Sequence, residues 1–203
     1  MPVVALPEHE TVKLVFDSKR TRSDEEFVAF CRANPDLRVE RTAKGEIVIV
    51  PPAGIEGSYR SGGAFSQLAR WAGKDGRGKA FDASAGFMVA DGACLSPDAA
   101  WVSNAALARL SLEERREFAH LCPEFVIEVI SPTDRVKPAM AKMEQWIENG
   151  AQLGWLIDGD NQTVYVYRKG RPQVTRRGVQ ELAGEGPVKG FVLKLSSIWR
   201  GLR

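Results

Sequence analysis

The sequence predicts an α/β or α+β protein in which a mixed central β-sheet is flanked by helices. Two observations lead to this class. Short runs of β-forming residues alternate along the chain with segments whose apolar residues recur at helical spacing. One run, 125–130, is apolar on both faces, which is typical of a central strand covered on two sides.

Local signals place the individual elements. The predicted helices run from a Ser23–Glu26 capping box to Asn34, over 57–72, from a second capping pattern at 111–114, and over 138–149. The predicted strands are 37–41, 46–50, 87–89, 99–102, 125–130, 155–157 and 164–167. The first two of these strands read as a hairpin, and the last two flank the turn residues 158–161.

Length and composition indicate one ordinary globular domain. The chain has 203 residues, of which 44% are hydrophobic and 27% charged, and these values argue against disorder and fibrous repeats. Its net charge of +2 gives no bulk field typical of a nucleic-acid binder, although a local basic groove stays compatible with it. We predict a single domain over 23–203, preceded by an N-terminal arm or extension over 1–22.

Cysteine usage and the N-terminus predict a cytoplasmic protein. Cys31, Cys94 and Cys122 share no CxxC spacing, which argues against a disulfide framework and a zinc finger. The N-terminus lacks the basic and apolar regions of a signal peptide. No window approaches the ~18 apolar residues that a membrane span needs.

Glu128 is the first candidate for chemistry, because it interrupts the apolar strand 125–130. A carboxylate in such a strand is desolvated unless it is paired or bound to a metal. The structural alternative is a strand-end glutamate that reaches water or one arginine.

Asp98 and Lys142 are the second and third candidates. Asp98 opens the apolar run 99–102 where a strand enters the sheet, and its structural alternative is a turn-capping aspartate. Lys142 borders the buried stripe of the 138–149 helix, where it either extends to water or directs its ammonium along the sheet. Two carboxylates on neighbouring strands can hold Mg²⁺ through oxygen ligands, and a lysine can stabilise an attacking hydroxide. The lack of suitable His and Cys ligands favours Mg²⁺ or Mn²⁺ over Zn²⁺.

Several motifs, in order, resemble the Uma2 family, also known as DUF820. They are SPDAAWV at 96–102, CPEFVIEVISPTD at 122–134, KMEQWIENG at 142–150, GWLID at 154–158 and VYVYR at 164–168. The resemblance covers roughly residues 25 to 200. It implies a restriction-endonuclease-like core of the PD-(D/E)XK superfamily and a metal-dependent phosphodiesterase site.

The family motif maps onto three residues of this chain. Its PD matches Pro97-Asp98 and its acidic residue matches Glu128. The usual lysine two residues after that acid is absent, because position 130 is isoleucine, and Lys142 on the following helix matches the displaced lysine. The resemblance also implies a further acid from the first core helix. Glu56 is the first candidate and Glu40 the second, each with a surface role as its alternative, and Asp82 is expected to border the site.

The leading functional hypothesis is an endonuclease that uses Mg²⁺ or Mn²⁺ to hydrolyse DNA. Asp98 and Glu128 would bind the metal, and Lys142 would assist the attacking water. A homodimer or higher homo-oligomer is expected, because double-strand cleavage needs two sites. The first alternative is a catalytically inactive module of the same fold that binds nucleic acid or a protein. The second is a glycosidase-like enzyme using Asp98 and Glu128.

Overall fold

A computed structural model describes residues 12–14, 23–131 and 135–203. Its α-helices are α1 (Asp24–Ala33), α2 (Ile55–Asp75), α3 (Asn104–Leu107), α4 (Val136–Glu148) and α5 (Ser196–Arg200). Its strands are β1 (Val12–Leu14), β2 (Val39–Arg41), β3 (Ile47–Ile49), β4 (Gly78–Asp82), β5 (Phe87–Met88), β6 (Cys94–Leu95), β7 (Ala99–Ser103), β8 (Ala119–His120), β9 (Phe125–Ile130), β10 (Leu153–Asp158), β11 (Thr163–Arg168), β12 (Arg171–Arg177), β13 (Glu181–Ala183) and β14 (Val192–Lys194).

The main sheet has six strands in the order β12-β11-β10-β9-β7-β4. Strands β9 and β10 are parallel, and α4 is the crossover that joins them. The other neighbours are antiparallel, so the sheet is mixed. All six residues of β9 are buried, which confirms that this strand is central.

Helices cover both faces of the main sheet. On one face, Leu68 of α2 packs with Ile127 and Trp155 in the largest apolar cluster. On the other face, Met143 and Trp146 of α4 pack with a second cluster on the sheet. The strand alternation of β9 therefore sends Ile127 toward α2 and Glu128 toward α4. This arrangement confirms the predicted mixed sheet flanked by helices.

A second six-stranded sheet, in the order β1-β3-β2-β6-β5-β8, lies beside the first. Its core is a small apolar cluster around Phe27 of α1 and Ile47 of β3. Strand β2 joins β6 through one pair, Arg41 with Cys94. Residues 12–14 of the predicted N-terminal extension form β1 against β3. The remainder of that extension lies outside the described residues.

The helix-capping contacts predicted from the sequence are present in the structure. Ser23 and Glu26 form the predicted capping box of α1, and Asn34 is its C-cap. The pattern at 111–114 gives the predicted cap contacts between Ser111 and Glu114, but only a single 3-10 turn follows over Glu114–Arg116. Within the described residues, no helix is both long enough and apolar enough to cross a membrane.

Candidate active site

Glu128 lies near the C-terminal end of β9 and is 9% exposed. Its Oε1 accepts hydrogen bonds from the indole Nε1 of Trp146 at 2.9 Å and lies 3.1 Å from Lys142 Nζ. Within the described part of the chain, Oε2 of Glu128 accepts no hydrogen bond. One carboxylate oxygen is therefore held by α4, and the other is available to a ligand.

Asp98 comes from the neighbouring strand. The antiparallel register pairs Ala99 with Ile127, and continuing it by one residue places Asp98 opposite Glu128. The Oδ2 of Asp98 accepts a hydrogen bond from the backbone N–H of Val129 at 2.7 Å. The two carboxylates thus lie side by side at one edge of the main sheet.

Lys142 reaches this edge from α4. Its Nζ lies 3.0 Å from Glu40 Oε1 and 3.1 Å from Glu128 Oε1, and it donates to the backbone oxygen of Ser96 at 2.9 Å. Of the two readings of this lysine, the structure shows the one in which the ammonium is directed along the sheet. The side chain is 26% exposed, so it is largely enclosed by these partners.

Glu40 belongs to β2 of the second sheet. Its Oε1 accepts one hydrogen bond from the Lys142 ammonium and another from the backbone N–H of Ser96 at 3.1 Å. Ser96 therefore contacts both charged groups, through its N–H to Glu40 and its carbonyl to Lys142. The cluster of Asp98, Glu128, Lys142 and Glu40 is called the carboxylate–lysine cluster below.

Electrostatics of the carboxylate–lysine cluster follow from its burial. Desolvation raises the pKa of Glu128 from 4.5 to about 7, and the negative charges of Asp98 and Glu40 add to this effect. The Lys142 ammonium and the Trp146 indole oppose it. Burial lowers the pKa of Lys142, but Glu128 and Glu40 outweigh burial and hold that pKa above its usual range. Lys142 is therefore a cation at neutral pH.

Trp146 and Ser96 are contacts that the sequence pattern did not single out. Trp146 follows Lys142 by one helical turn, so both side chains lie on the same face of α4. That spacing is a usable signal, because an indole N–H on a buried helical face needs an acceptor. The role of the Ser96 backbone has no signature in sequence.

The contacts of Glu56 are with residues outside the carboxylate–lysine cluster. It is in the first turn of α2, where its Oε1 pairs with Arg60 Nη2 at 2.9 Å. Its Oε2 accepts a hydrogen bond from the backbone N–H of Leu202 at 3.2 Å. Arg60 is 2% exposed and also binds Asp160 at 2.8 Å. Glu56 thus joins α2 to the C-terminal segment, and Glu40 is the acid that the fold brings beside Lys142.

We expect Glu56→Gln to lower the free energy of unfolding by about 1–2 kcal/mol, since it weakens the pairing of a buried guanidinium. Urea denaturation measures this change. The same variant should retain any phosphodiesterase activity of the parent. Loss of activity at unchanged stability would instead place Glu56 in the reaction.

Asp82 ends β4 and is exposed. Its Oδ1 accepts hydrogen bonds from the hydroxyl and the backbone N–H of Ser84, and these bonds lower the pKa of Asp82. Asp82 pairs with Ala99 across the strands, so it lies near Asp98 in the sheet, but its hydrogen bonds with Ser84 are those of a turn.

The cluster offers the type of ligand atom, carboxylate oxygen, that hard divalent cations bind. Asp98 and Glu128 supply carboxylate oxygens, which Mg²⁺ and Mn²⁺ prefer. Within residues 23–131 and 135–203, no three His, Cys, Asp or Glu side chains are grouped to hold one metal ion. The match between the cluster and such an ion is therefore one of ligand type, carried by these two carboxylates.

Comparison with known proteins gives a family match and a similar solved structure. Residues 24–196 match the model of the Uma2 family, which is described as "Putative restriction endonuclease". A crystal structure from Anabaena variabilis, described as "a putative nuclease belonging to DUF820", has a TM-score of 0.68 and 20% sequence identity. The match covers 83% of this chain and 93% of that one. No curated protein matches the chain.

The family match spans most of the chain and includes every member of the carboxylate–lysine cluster. The solved structure shares the fold: mixed sheets with flanking helices. Together these findings show that the chain belongs to the Uma2 (DUF820) family of restriction-endonuclease-like proteins.

Proposed function

We propose that this protein is an endonuclease that hydrolyses phosphodiester bonds in DNA with Mg²⁺ or Mn²⁺. The observation that carries the proposal is the pairing of Asp98 and Glu128 at one sheet edge, with Lys142 Nζ 3.1 Å from Glu128 Oε1. The family description and the nuclease description of the solved relative support the same class of reaction.

Asp98 and Glu128 are the residues that would hold the metal. A bound divalent ion supplies a Lewis acid that polarises the phosphate and lowers the pKa of a coordinated water. Trp146 and Lys142 fix Oε1 of Glu128, so the orientation of its Oε2 is set before any ligand arrives. The Val129 N–H fixes Asp98 in the same way.

Lys142 acts as a cation in this proposal. Because its pKa lies above the usual range, it does not accept a proton at neutral pH. Its ammonium instead stabilises negative charge on the attacking oxygen and on the crowded phosphate. Hydrolysis forms one P–O bond from water and breaks one P–O bond to the leaving oxygen, and the proton lost by the water is taken up by solvent or by that oxygen. Glu40 and Ser96 position the ammonium.

A second candidate is a module of the same fold that binds nucleic acid without hydrolysing it. One observation favours it: three oxygens, from Glu40, Glu128 and Ser96, already surround the Lys142 ammonium. Because these partners partly neutralise the ammonium, its electrostatic interaction with a substrate phosphate is weaker.

Nicking of supercoiled plasmid separates the two candidates. We expect the protein to convert supercoiled plasmid to open circles with Mn²⁺ or Mg²⁺, to stop when EDTA is added, and to resume when excess Mn²⁺ is restored. Plasmid binding without nicking would favour the second candidate. Nicking that persists in EDTA would contradict metal dependence, and a Glu128→Gln preparation purified in parallel controls for contaminating nuclease.

A further inference from the structure

Four exposed cations lie at the end of the main sheet that holds the carboxylate–lysine cluster. They are Arg135, Lys137, Arg176 and Arg177. No described residue forms an ion pair or a side-chain hydrogen bond with any of them. The first two lie at the start of α4, and the last two end β12.

Strand register places the end of β12 level with the cluster. Ile130 pairs with Asp158, Asp158 with Thr163, and Thr163 with Arg177. Cross-strand partners share a face, so Arg177 lies on the α4 face, as Glu128 does. Arg176 pairs with Val164, which packs on the α2 face, so Arg176 lies on the opposite face of the sheet. Three strand spacings separate β12 from β9, which is about 14 Å.

The start of α4 lies at the same edge of the sheet. Since α4 leaves the C-terminal end of β9 and returns to the parallel strand β10, its first turn is beyond the edge where Glu128 sits. Arg135 and Lys137 are at this start. Three exposed cations, two at the helix start and Arg177 on the outer strand, therefore share the edge and the sheet face of the cluster.

Internal ion pairing does not account for these four cations. Arg60, Arg41 and Arg168 each have an acidic partner. Asp160, the exposed acid of the adjoining β10–β11 turn, is paired with Arg60. Charges on an edge strand also discourage sheet-to-sheet pairing, but that explanation does not apply to Arg135 and Lys137 on a helix.

We propose, resting on the nuclease function above, that Arg135, Lys137 and Arg177 bind backbone phosphates of duplex DNA next to the scissile phosphate. A distance of about 14 Å equals roughly four nucleotide steps along a duplex axis. Such contacts position the duplex and carry no base information. The substrate must therefore extend several base pairs beyond the cleaved bond for full affinity.

A charge-matched pair of double variants tests this surface. Lys137→Ala with Arg177→Ala removes two of the three cations of this surface. Lys169→Ala with Arg171→Ala removes two exposed cations at the opposite end of the β11–β12 hairpin. Affinity for a duplex of about 30 base pairs is measured by fluorescence anisotropy in EDTA, between about 50 and 200 mM salt.

The first double variant should bind the duplex about tenfold more weakly, and its slope of log affinity against log salt should fall by about 1.8. The second should keep the parent's slope. Equal slopes in all three proteins, equal losses in both variants, or no duplex binding by the parent would overturn the proposal. Matching melting temperatures exclude an unfolding effect.

The binding assay needs no hydrolysis, so its failure differs from failure of the proposed function. A protein that nicks plasmid while both double variants bind like the parent retains the nuclease function and loses this surface. A protein that shows the slope change but never nicks retains the surface and loses the nuclease function.

Discussion

Replacement of Glu128 by glutamine is expected to lower the rate of Mn²⁺-dependent plasmid nicking by about 100-fold or more, since even outer partners of metal ligands are worth 10- to 100-fold. Glutamine keeps the volume of the side chain and an oxygen that accepts the Trp146 N–H, so the packing of β9 on α4 is retained. It removes the negative charge that would hold the metal. Calorimetry should show a matching loss of Mn²⁺ affinity.

Glu124→Gln is the matched control for this prediction. Glu124 immediately precedes β9 at its other end, where it accepts hydrogen bonds from the hydroxyl and the backbone N–H of Ser103. Its replacement should leave nicking unchanged and cost about 1 kcal/mol of stability. If Glu128→Gln nicks as fast as Glu124→Gln, the site has been misplaced.

Replacement of Lys142 by methionine should lower the free energy of unfolding by about 3 kcal/mol at pH 8 in EDTA, because it leaves buried carboxylates without their cation. It should also slow nicking on the order of 100-fold through loss of the positive charge at the reacting phosphate. Methionine keeps most of the aliphatic packing of the lysine stem. Urea denaturation and the plasmid assay measure the two effects.

The stability loss of Lys142→Met should depend on pH in a defined direction. The folded-state pKa of Glu128, about 7, lies above its ordinary value of 4.5. Stability linked to such a group is fully present below the ordinary value and declines as pH rises through the folded value. Without the ammonium, the pKa of Glu128 rises further. The deficit of the variant relative to the parent should therefore grow from about pH 5 to pH 8.

Lys44→Met provides the comparison for this measurement, because Lys44 is exposed in the turn between β2 and β3. It should change stability by less than about 0.5 kcal/mol at either pH. A Lys142→Met deficit that is the same at both pH values would mean that only packing was lost. No deficit at all would mean that Lys142 is not paired with the carboxylates in solution.

Much of the fold could be predicted because its signals are local. The capping box at Ser23 marks the start of α1, and the two apolar faces of 125–130 mark a central strand. The edge strands β4 and β12 gave no comparable signal, because their sequences, GKAFD and RPQVTRR, do not alternate. They are strands because β7 and β11 offer them backbone partners.

The candidate site likewise has a part that local sequence patterns indicate and a part that depends on contacts between distant residues. The positions of Asp98 and Glu128 on neighbouring strands follow from patterns within each strand. The contact of Glu40 with Lys142 does not, because no pattern around Glu40 indicates it, and Glu56 at a helix start is the stronger candidate by sequence. Glu40 meets Lys142 only because β2 joins β6 at the single pair Arg41–Cys94, a contact between distant parts of the chain.

The contact between Glu40 and Lys142 also makes the complete site depend on the docking of the two sheets. Glu40 belongs to the second sheet and Glu128 to the first, so the lysine has both counter-ions only when the two sheets are docked. A change that separates the second sheet from the first would remove one carboxylate partner of Lys142 and leave its contact with Glu128 in place.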